Sequence, residues 1–312
     1  MINNKSKLFG GIFVIRTFQY IITEKDEGIT IEDFLKKEGY SKRLITKLRQ
    51  TPIGLTVDNI HRYTTYPLSL GEHFVVTLED DTPSEHIPPI YHPLSIIYED
   101  DDLMVLNKPA NMPIHPSIGN YENTLANGVA YYFKEKNEPF IYRVINRLDR
   151  DTTGLLILAK HMLSAGILSN MVKNREIKRE YLAITEGLID EEGIIEAPIR
   201  RKEGSIIERE VNVSTGEYAK TYYKRLAYSN NHSLVSVTLE TGRTHQIRVH
   251  MKYIHHPLPG DFIYNPNYEF IKRQALHSYK LTFPHPITKE ILTFTAPLPE
   301  DMNRIISFPD NI

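Results

Sequence analysis

INRLDRDTTGLLILAK, residues 145–160, joins two halves of opposite character. Its second half, Leu155 to Ala159, is a continuous apolar run of the kind buried as a strand. Its first half crowds Arg147, Asp149, Arg150, Asp151, Thr152 and Thr153 just ahead of Gly154. A charged, glycine-ended loop feeding a buried strand is where a rigid scaffold commonly holds reactive groups. The arginines flanking Asp149 favour its carboxylate form, and a fixed carboxylate serves as a nucleophile or a base. The plainer role for Asp149 and Asp151 is to cap backbone amides in a turn, and local chemistry leaves both open.

Outward from this loop, strand-like and helix-like segments follow without regular interleaving. IIYEDDDLMVLNK (96–108), EYLAITEG (180–187), TYYKRLAYS (221–229) and SLVSVTLE (233–240) read as strands. Helices are expected after Asn123-Thr124-Leu125, over Met162–Lys173 and after Thr244. Strands outnumber helices, which predicts an α+β fold with a mixed, largely antiparallel sheet and flanking helices.

Two further segments carry polar groups suited to a site. In LETGRTHQIRVHMKYIHH (239–256), Gly242 makes a turn. A helix starting near Thr244 would put Thr244 and Arg248 on one face. Arg248 could then pair with a carboxylate from another element. His245 and His250 invite a metal reading, but their spacing sets them about 140° apart around a helix, and no carboxylate sits at a matching offset. No metal is expected. In KREYLAITEG (178–187), cations run directly into Tyr181. An aromatic beside cations is what unstacked bases lie on; a half-packed strand tyrosine is the ordinary alternative in a chain with 19 tyrosines.

Upstream, TPSEHIPPIYHP (82–93) is rich in proline and polar residues and predicts a break between domains near residue 85. Before it, Thr30 and Ser41 are placed to cap two short helices, and Gly39 to end the first. The second helix would carry Leu44, Ile45 and Leu48 on one face and Lys42, Arg43, Lys47 and Arg49 on the other. LTVD and HFVVTLED then alternate as strands. The basic face suits RNA docking or simple solubility equally well.

Composition bounds these readings. The chain has 312 residues, 41% apolar and 24% charged, enough for two domains with a sizeable core. It has no cysteine, which excludes disulfides and cysteine-based sites. No run approaches the roughly 20 apolar residues of a membrane span, and the N-terminus shows no cleavage pattern. A cytoplasmic protein is expected. The net charge of −2 and pI near 6.7 are not those of a strongly basic domain. Positive charge is nevertheless clustered, at residues 36–49, 143–150, 173–179 and 200–202.

Taken together, these segments resemble the RluA-type family of ribosomal and transfer RNA pseudouridine synthases. The family loop H-R-L-D-R-D-T-S-G-L falls on Asn146 to Leu155, and T-G-R-T-H-Q-I-R-V-H matches Thr241 to His250 without a change. K-x-Y-x-A falls on Arg179 to Ala183. N-K-P-x-G-x-x-x-H-P falls on Asn107, Lys108, Pro109, His115 and Pro116, with Asn111 where glycine is usual. HPLPGDFIY (256–264) and RQALHSYKLTFPHP (273–286) match later blocks, so the resemblance spans about residues 95–298 in order. Residues 17–81 resemble the small RNA-binding domain of small-subunit ribosomal protein four, departing at Leu55-Thr-Val-Asp-Asn where a V-N-G turn is usual.

The resemblance implies a pseudouridine synthase domain over 86–312 and a small α/β RNA-binding domain over 1–85. It implies catalysis by Asp149, with Arg248 pairing to it and Tyr181 stacking on the flipped uracil. Arg147 is implied to enter the RNA stack. Arg150, Lys42, Arg43, Lys47, Lys108, His115, Arg243 and His245 are expected on the RNA. The implied partner is structured RNA, ribosomal or transfer, with no cofactor, no obligatory protein partner and a monomeric state. Asn146 for histidine and Thr153 for serine depart from the signature. Activity is still expected, because Asp149, Tyr181 and Arg248 remain. Two other classes compete. A non-catalytic RNA-binding or ribosome-assembly protein would not need Asp149. A glycosidase-like hydrolase would need a second carboxylate about 5–9.5 Å away, for which Asp151 is the near candidate.

Overall fold

A computed structural model describes residues 7–9, 12–79, 86–139 and 141–306. The break expected near residue 85 lies outside the described residues. The chain divides into two compact units. The first comprises Met1–Val105, Pro116–Asn146 and Ile157–Asn174; the second comprises Leu106–His115, Arg147–Leu156 and Arg175–Ile312.

The first unit opens with β1 (Lys7–Phe9) and β2 (Ile12–Ile21), then α1 (Ile31–Lys37) and α2 (Lys42–Gln50). β3 (Leu55–Val57), β4 (Ile60–His61) and β5 (His73–Glu79) complete an antiparallel sheet ordered β1-β2-β5-β3-β4. Both helices start as their sequence dictates: the Thr30 hydroxyl accepts from Asp33 N–H, and the Ser41 hydroxyl from Leu44 N–H. The apolar faces, Ile31, Phe34 and Leu35 on α1 and Leu44, Ile45 and Leu48 on α2, are buried. Phe34 meets Phe74 of β5 edge-on at 5.6 Å. At the point of departure from V-N-G, Asp58 and Asn59 both take positive φ between paired Val57 and Ile60. Asp and Asn tolerate that conformation, so the hairpin closes without glycine.

The same unit holds β6 (Ser95–Glu99), the start of β7 (Leu103–Lys108), α3 (Leu125–Glu135), the end of β8 (Thr153–Ala159) and α4 (Met162–Lys173). Thr124 and Asn127 form a reciprocal capping box on α3. α4 spans the residues its sequence predicts. His161 caps it and, fully buried, lies 2.9 Å from Asp102, which also receives Arg16 Nε at 3.0 Å.

The second unit holds β9 (Lys178–Glu186), β10 (Glu192–Glu196), β11 (Ile199–Arg201), β12 (Arg209–Val211), β13 (Lys220–Ser229), β14 (His232–Leu239), α5 (Gln246–Tyr253), β15 (Leu276–Pro284), β16 (Ile291–Thr295) and α6 (Glu300–Asn303). Its strands run β10-β13-β14-β9-β15, all antiparallel, with β16 also on β15. The first residues of β8 join β15 in parallel. The fold is therefore α+β with a mixed, mostly antiparallel sheet. Every residue of β8 is buried, as its unbroken apolar run requires. α5 begins at Gln246, not Thr244, because His245 sits in the left-handed region and cannot continue a helix upstream. Thr244 thus lies in the turn and shares no helical face with Arg248. Among the described residues, no helix is long and apolar enough to cross a membrane.

Candidate active site

Sheet register places the site. β15 lies between β8 and β9: Ser278 pairs with Gly154 on one side and with Tyr181 on the other. Two strand spacings, about 9–10 Å, therefore separate the end of the charged loop from the tyrosine. At Gly154 the backbone has φ +109°, and an added Cβ would lie 2.3 Å from the Ser278 carbonyl oxygen. Both the conformation and the contact exclude any side chain. We expect Gly154→Ala to lose about 2–3 kcal/mol of stability, read by urea denaturation; an unchanged midpoint would show that β15 yields at no cost.

Upstream of Gly154 the loop is clamped from several sides. Thr152 N–H donates to the Asp149 carbonyl, closing a turn. Arg273 Nη1 donates to the carbonyls of Asp151, Gln274 and Leu276, while its Nε and Nη2 hold Asp301 at 2.7 and 2.8 Å. The Thr153 hydroxyl lies 2.8 Å from His277 Nδ1. Burial pushes the His277 imidazole down to about 4, so it is neutral and its Nδ1 can accept. Thr153 thus puts to use the hydroxyl it shares with the signature's serine. Asn146 is buried, and its Oδ1 accepts from Ile157 N–H at 2.8 Å, a backbone contact that needs no imidazole.

Asp149 emerges from this loop with its side chain 30% exposed, and Arg248 Nη1 donates to its Oδ2 at 2.7 Å. Arg248 is buried on α5. Its other nitrogens form a two-pronged pair with Asp261, Nε to Oδ2 at 2.6 Å and Nη2 to Oδ1 at 2.7 Å. Asp261 is itself completely buried, and its Oδ1 also accepts from Ile263 and Tyr264 N–H. Burial alone would lower the Arg248 guanidinium, but Asp261, supported by Asp149, outweighs it and holds it above its usual range. One carboxylate anchors the arginine from behind, and the arginine aims the other carboxylate forward.

Asp149, Arg248, Tyr181, Arg147, Arg243 and His245 line one open cleft of about 390 Å³ including its mouth. Tyr181 is 5% exposed. Burial, opposed by Arg179 and aided by Asp149, raises its phenol above the ordinary range, so it stays protonated near neutral pH. Arg147 is exposed and makes no hydrogen bond or ion pair among the described residues. Arg243 pairs with Glu217 and donates from Nε to the Tyr218 carbonyl.

Two residues expected on RNA are largely buried. Lys108 is buried, and its Nζ donates to the carbonyls of Pro109, Met112 and Arg150. Burial pushes its ammonium down to about 7, yet three carbonyls match the three N–H groups of the charged form. It ties the 109–112 segment to the charged loop at Arg150. His245 is also largely buried, with Nδ1 3.0 Å from the Tyr264 hydroxyl. Arg150 is half exposed and pairs with Asp151; His115 is exposed. Lys42 and Arg43 are exposed and Lys47 half-buried on α2, in the first unit. The other histidine that invited a metal reading, His250, bridges the Thr221 hydroxyl and the Ala197 carbonyl.

Sequence reasoning missed Asp261 and Tyr264. The signal was there in principle: Asp261 is the acid of HPLPGDFIY, and a helical arginine facing inward needs a buried counter-charge. Gln246 was missed as well. Its side chain accepts from Arg243 N–H and the Thr241 hydroxyl and donates to the Lys220 carbonyl and Thr221, fastening the 241–246 turn.

A family model described as RNA pseudouridylate synthase matches residues 102–253. An uncharacterized RNA pseudouridine synthase of Bacillus subtilis (strain 168), YjbO, is 38% identical over 279 residues, covering 89% of this chain and 98% of its own. Ribosomal large subunit pseudouridine synthase D of Pasteurella multocida (strain Pm70) is 37% identical over 286 residues, 86% of each chain. Among solved structures, human RNA pseudouridylate synthase domain containing 1 superposes with a TM-score of 0.56 at 27% identity, over 66% of this chain and 83% of its own. The family match runs through the loop, strand and helix that converge on the cleft, and the chain belongs to the RNA pseudouridine synthases.

Proposed function

We propose that this enzyme isomerises specific uridines in large-subunit ribosomal RNA, with Asp149 as its catalytic carboxylate. The observation that carries the reading is the Arg248–Asp149 contact at 2.7 Å, made between residues 99 apart at the mouth of a cleft that also holds Tyr181. The reaction breaks the glycosidic bond at the ring nitrogen, turns the uracil and bonds carbon-5 to the ribose. The carbon-5 hydrogen leaves as a proton and the freed ring nitrogen takes one up, so no net oxidation occurs. Arg248 orients Asp149 for this chemistry. Tyr181, a neutral phenol, offers a face for the extruded base and a hydroxyl for its polar edge. Arg147, whose exposure leaves it free to move, fills the stack that the base vacates in this reading. Lys108 acts through the loop it fastens. The choice of ribosomal RNA rests on relatives named large-subunit synthases.

A pseudouridine map of total RNA tests this. Cells lacking the gene should lose defined sites in large-subunit RNA. The intact gene should restore them, and Asp149→Ala should not. Restoration by Asp149→Ala would leave an RNA-binding or assembly role and withdraw the catalytic assignment.

Residues 1–85 are proposed to form the RNA-docking domain, on the strength of the basic face of α2. Replacing Lys42, Arg43 and Lys47 together by glutamine is expected to weaken RNA binding. The log–log salt slope should flatten by about 2, since each phosphate contact contributes roughly 0.7–0.9. Binding with an unchanged slope would make this face merely solvated.

A further inference from the structure

His245 occupies a position that phosphate contact does not explain. Its side chain is 12% exposed, and its backbone is left-handed at φ 58°. Non-glycine residues held there signal a local constraint, often at functional sites. The constraint here is visible. Gln246, immediately after it, is fixed through four side-chain hydrogen bonds, and its N–H donates to the Arg243 carbonyl. The turn is thereby forced to present the His245 ring to the cleft.

The ring's orientation and tautomer follow from its neighbours. The Tyr264 hydroxyl accepts from Arg209 N–H at 2.8 Å and lies 3.0 Å from His245 Nδ1. Among the described residues the hydroxyl hydrogen has no acceptor other than Nδ1, so the hydroxyl donates to it. Burial, with Arg248 adding and Asp149 opposing, holds the imidazole below its ordinary range, so the ring is neutral near pH 7. The remaining proton therefore sits on Nε2, which stands 3.8 Å from Asp149 Oδ2. That is less than an ångström beyond hydrogen-bond length, and such contacts commonly tighten only with substrate bound. Arg248 already donates to the same oxygen, while Oδ1 has no partner among the described residues.

We propose that His245 is a positioning residue for Asp149: with Arg248 it engages Oδ2 and so leaves Oδ1 as the oxygen that meets the substrate. Tyr264 sets the tautomer that makes this engagement productive. The inference rests on the reading of Asp149 as the catalytic carboxylate.

The test uses the full chain and a transcript carrying the mapped uridine with tritium on carbon-5. Single-turnover tritium release, RNA affinity and its salt slope are measured for His245→Leu, His245→Gln, Tyr264→Phe and Asp149→Asn. His245→Leu should slow release on the order of 10–10²-fold, as loss of an orienting partner commonly does. Its affinity and salt slope should match the natural chain. Glutamine places an N–H donor where Nε2 stood, so His245→Gln should recover to within about fivefold. Tyr264→Phe should fall between them, and serves if His245→Leu does not fold. A full rate in His245→Leu beside an inactive Asp149→Asn overturns this proposal alone. Equal losses in the leucine and glutamine variants overturn the donor role, and lost affinity with a flatter salt slope makes His245 an RNA contact. An active Asp149→Asn removes the parent reading and this one together.

Discussion

Asp149→Asn is expected to form no detectable pseudouridine in single turnover, a loss on the order of 10⁴-fold or more. Asparagine preserves size and can still accept from Arg248 Nη1, so the cleft keeps its shape. It removes the negative charge and with it the ability to act as nucleophile or base. The lesion is therefore confined to chemistry. RNA affinity should stay within about threefold of the natural chain, because one neutralised acid near phosphates favours binding if it changes it at all. Tritium release from carbon-5 reads the chemical step, and filter binding reads affinity. A residual rate within tenfold of the natural chain would move the catalytic role away from Asp149.

How much of this could be read beforehand differs by element. Capped helices with clean periodicity, such as α1, α2 and α4, were legible because Thr30, Ser41 and the apolar spacing act locally. β8 was legible because seven consecutive buried residues leave a strong compositional trace. The start of α5 was misplaced at Thr244, since the left-handed turn at His245 is imposed by the distant Lys220 and Thr221 through Gln246. Tertiary contacts of that kind leave no periodic signal. Asp149, Tyr181 and Arg248 were singled out from their motifs, and the fold brings all three to one cleft. The depth of Lys108 and His245 is not legible, because a sequence shows charge and not direction. Burial reveals that Lys108 fastens a loop and that the His245 ring is held by Tyr264.

The largest stability effect is expected at Asp261. Asp261→Ala should destabilise the protein by about 3–5 kcal/mol. The substitution strands a buried guanidinium that had donated two hydrogen bonds, and it leaves Ile263 and Tyr264 N–H without their side-chain acceptor. Activity should fall with it, because an arginine released from behind no longer points at Asp149. Loss of fold and loss of aim would then be confounded, and a double substitution separates them. Arg248→Met with Asp261→Leu removes both buried charges and fills the space with apolar groups. Replacing a buried ion pair in this way is often neutral for stability, but Ile263 and Tyr264 N–H still lack their side-chain acceptor, so the double variant should recover part of the loss and settle about 2–3 kcal/mol below the natural chain. It should remain inactive, since the 2.7 Å contact that aims Asp149 is gone and His245 Nε2, at 3.8 Å, does not replace it. Urea denaturation gives the first quantity and single-turnover tritium release the second. Should the double variant regain activity along with stability, Asp149 would need no partner, and the arginine's place behind it would be structural alone.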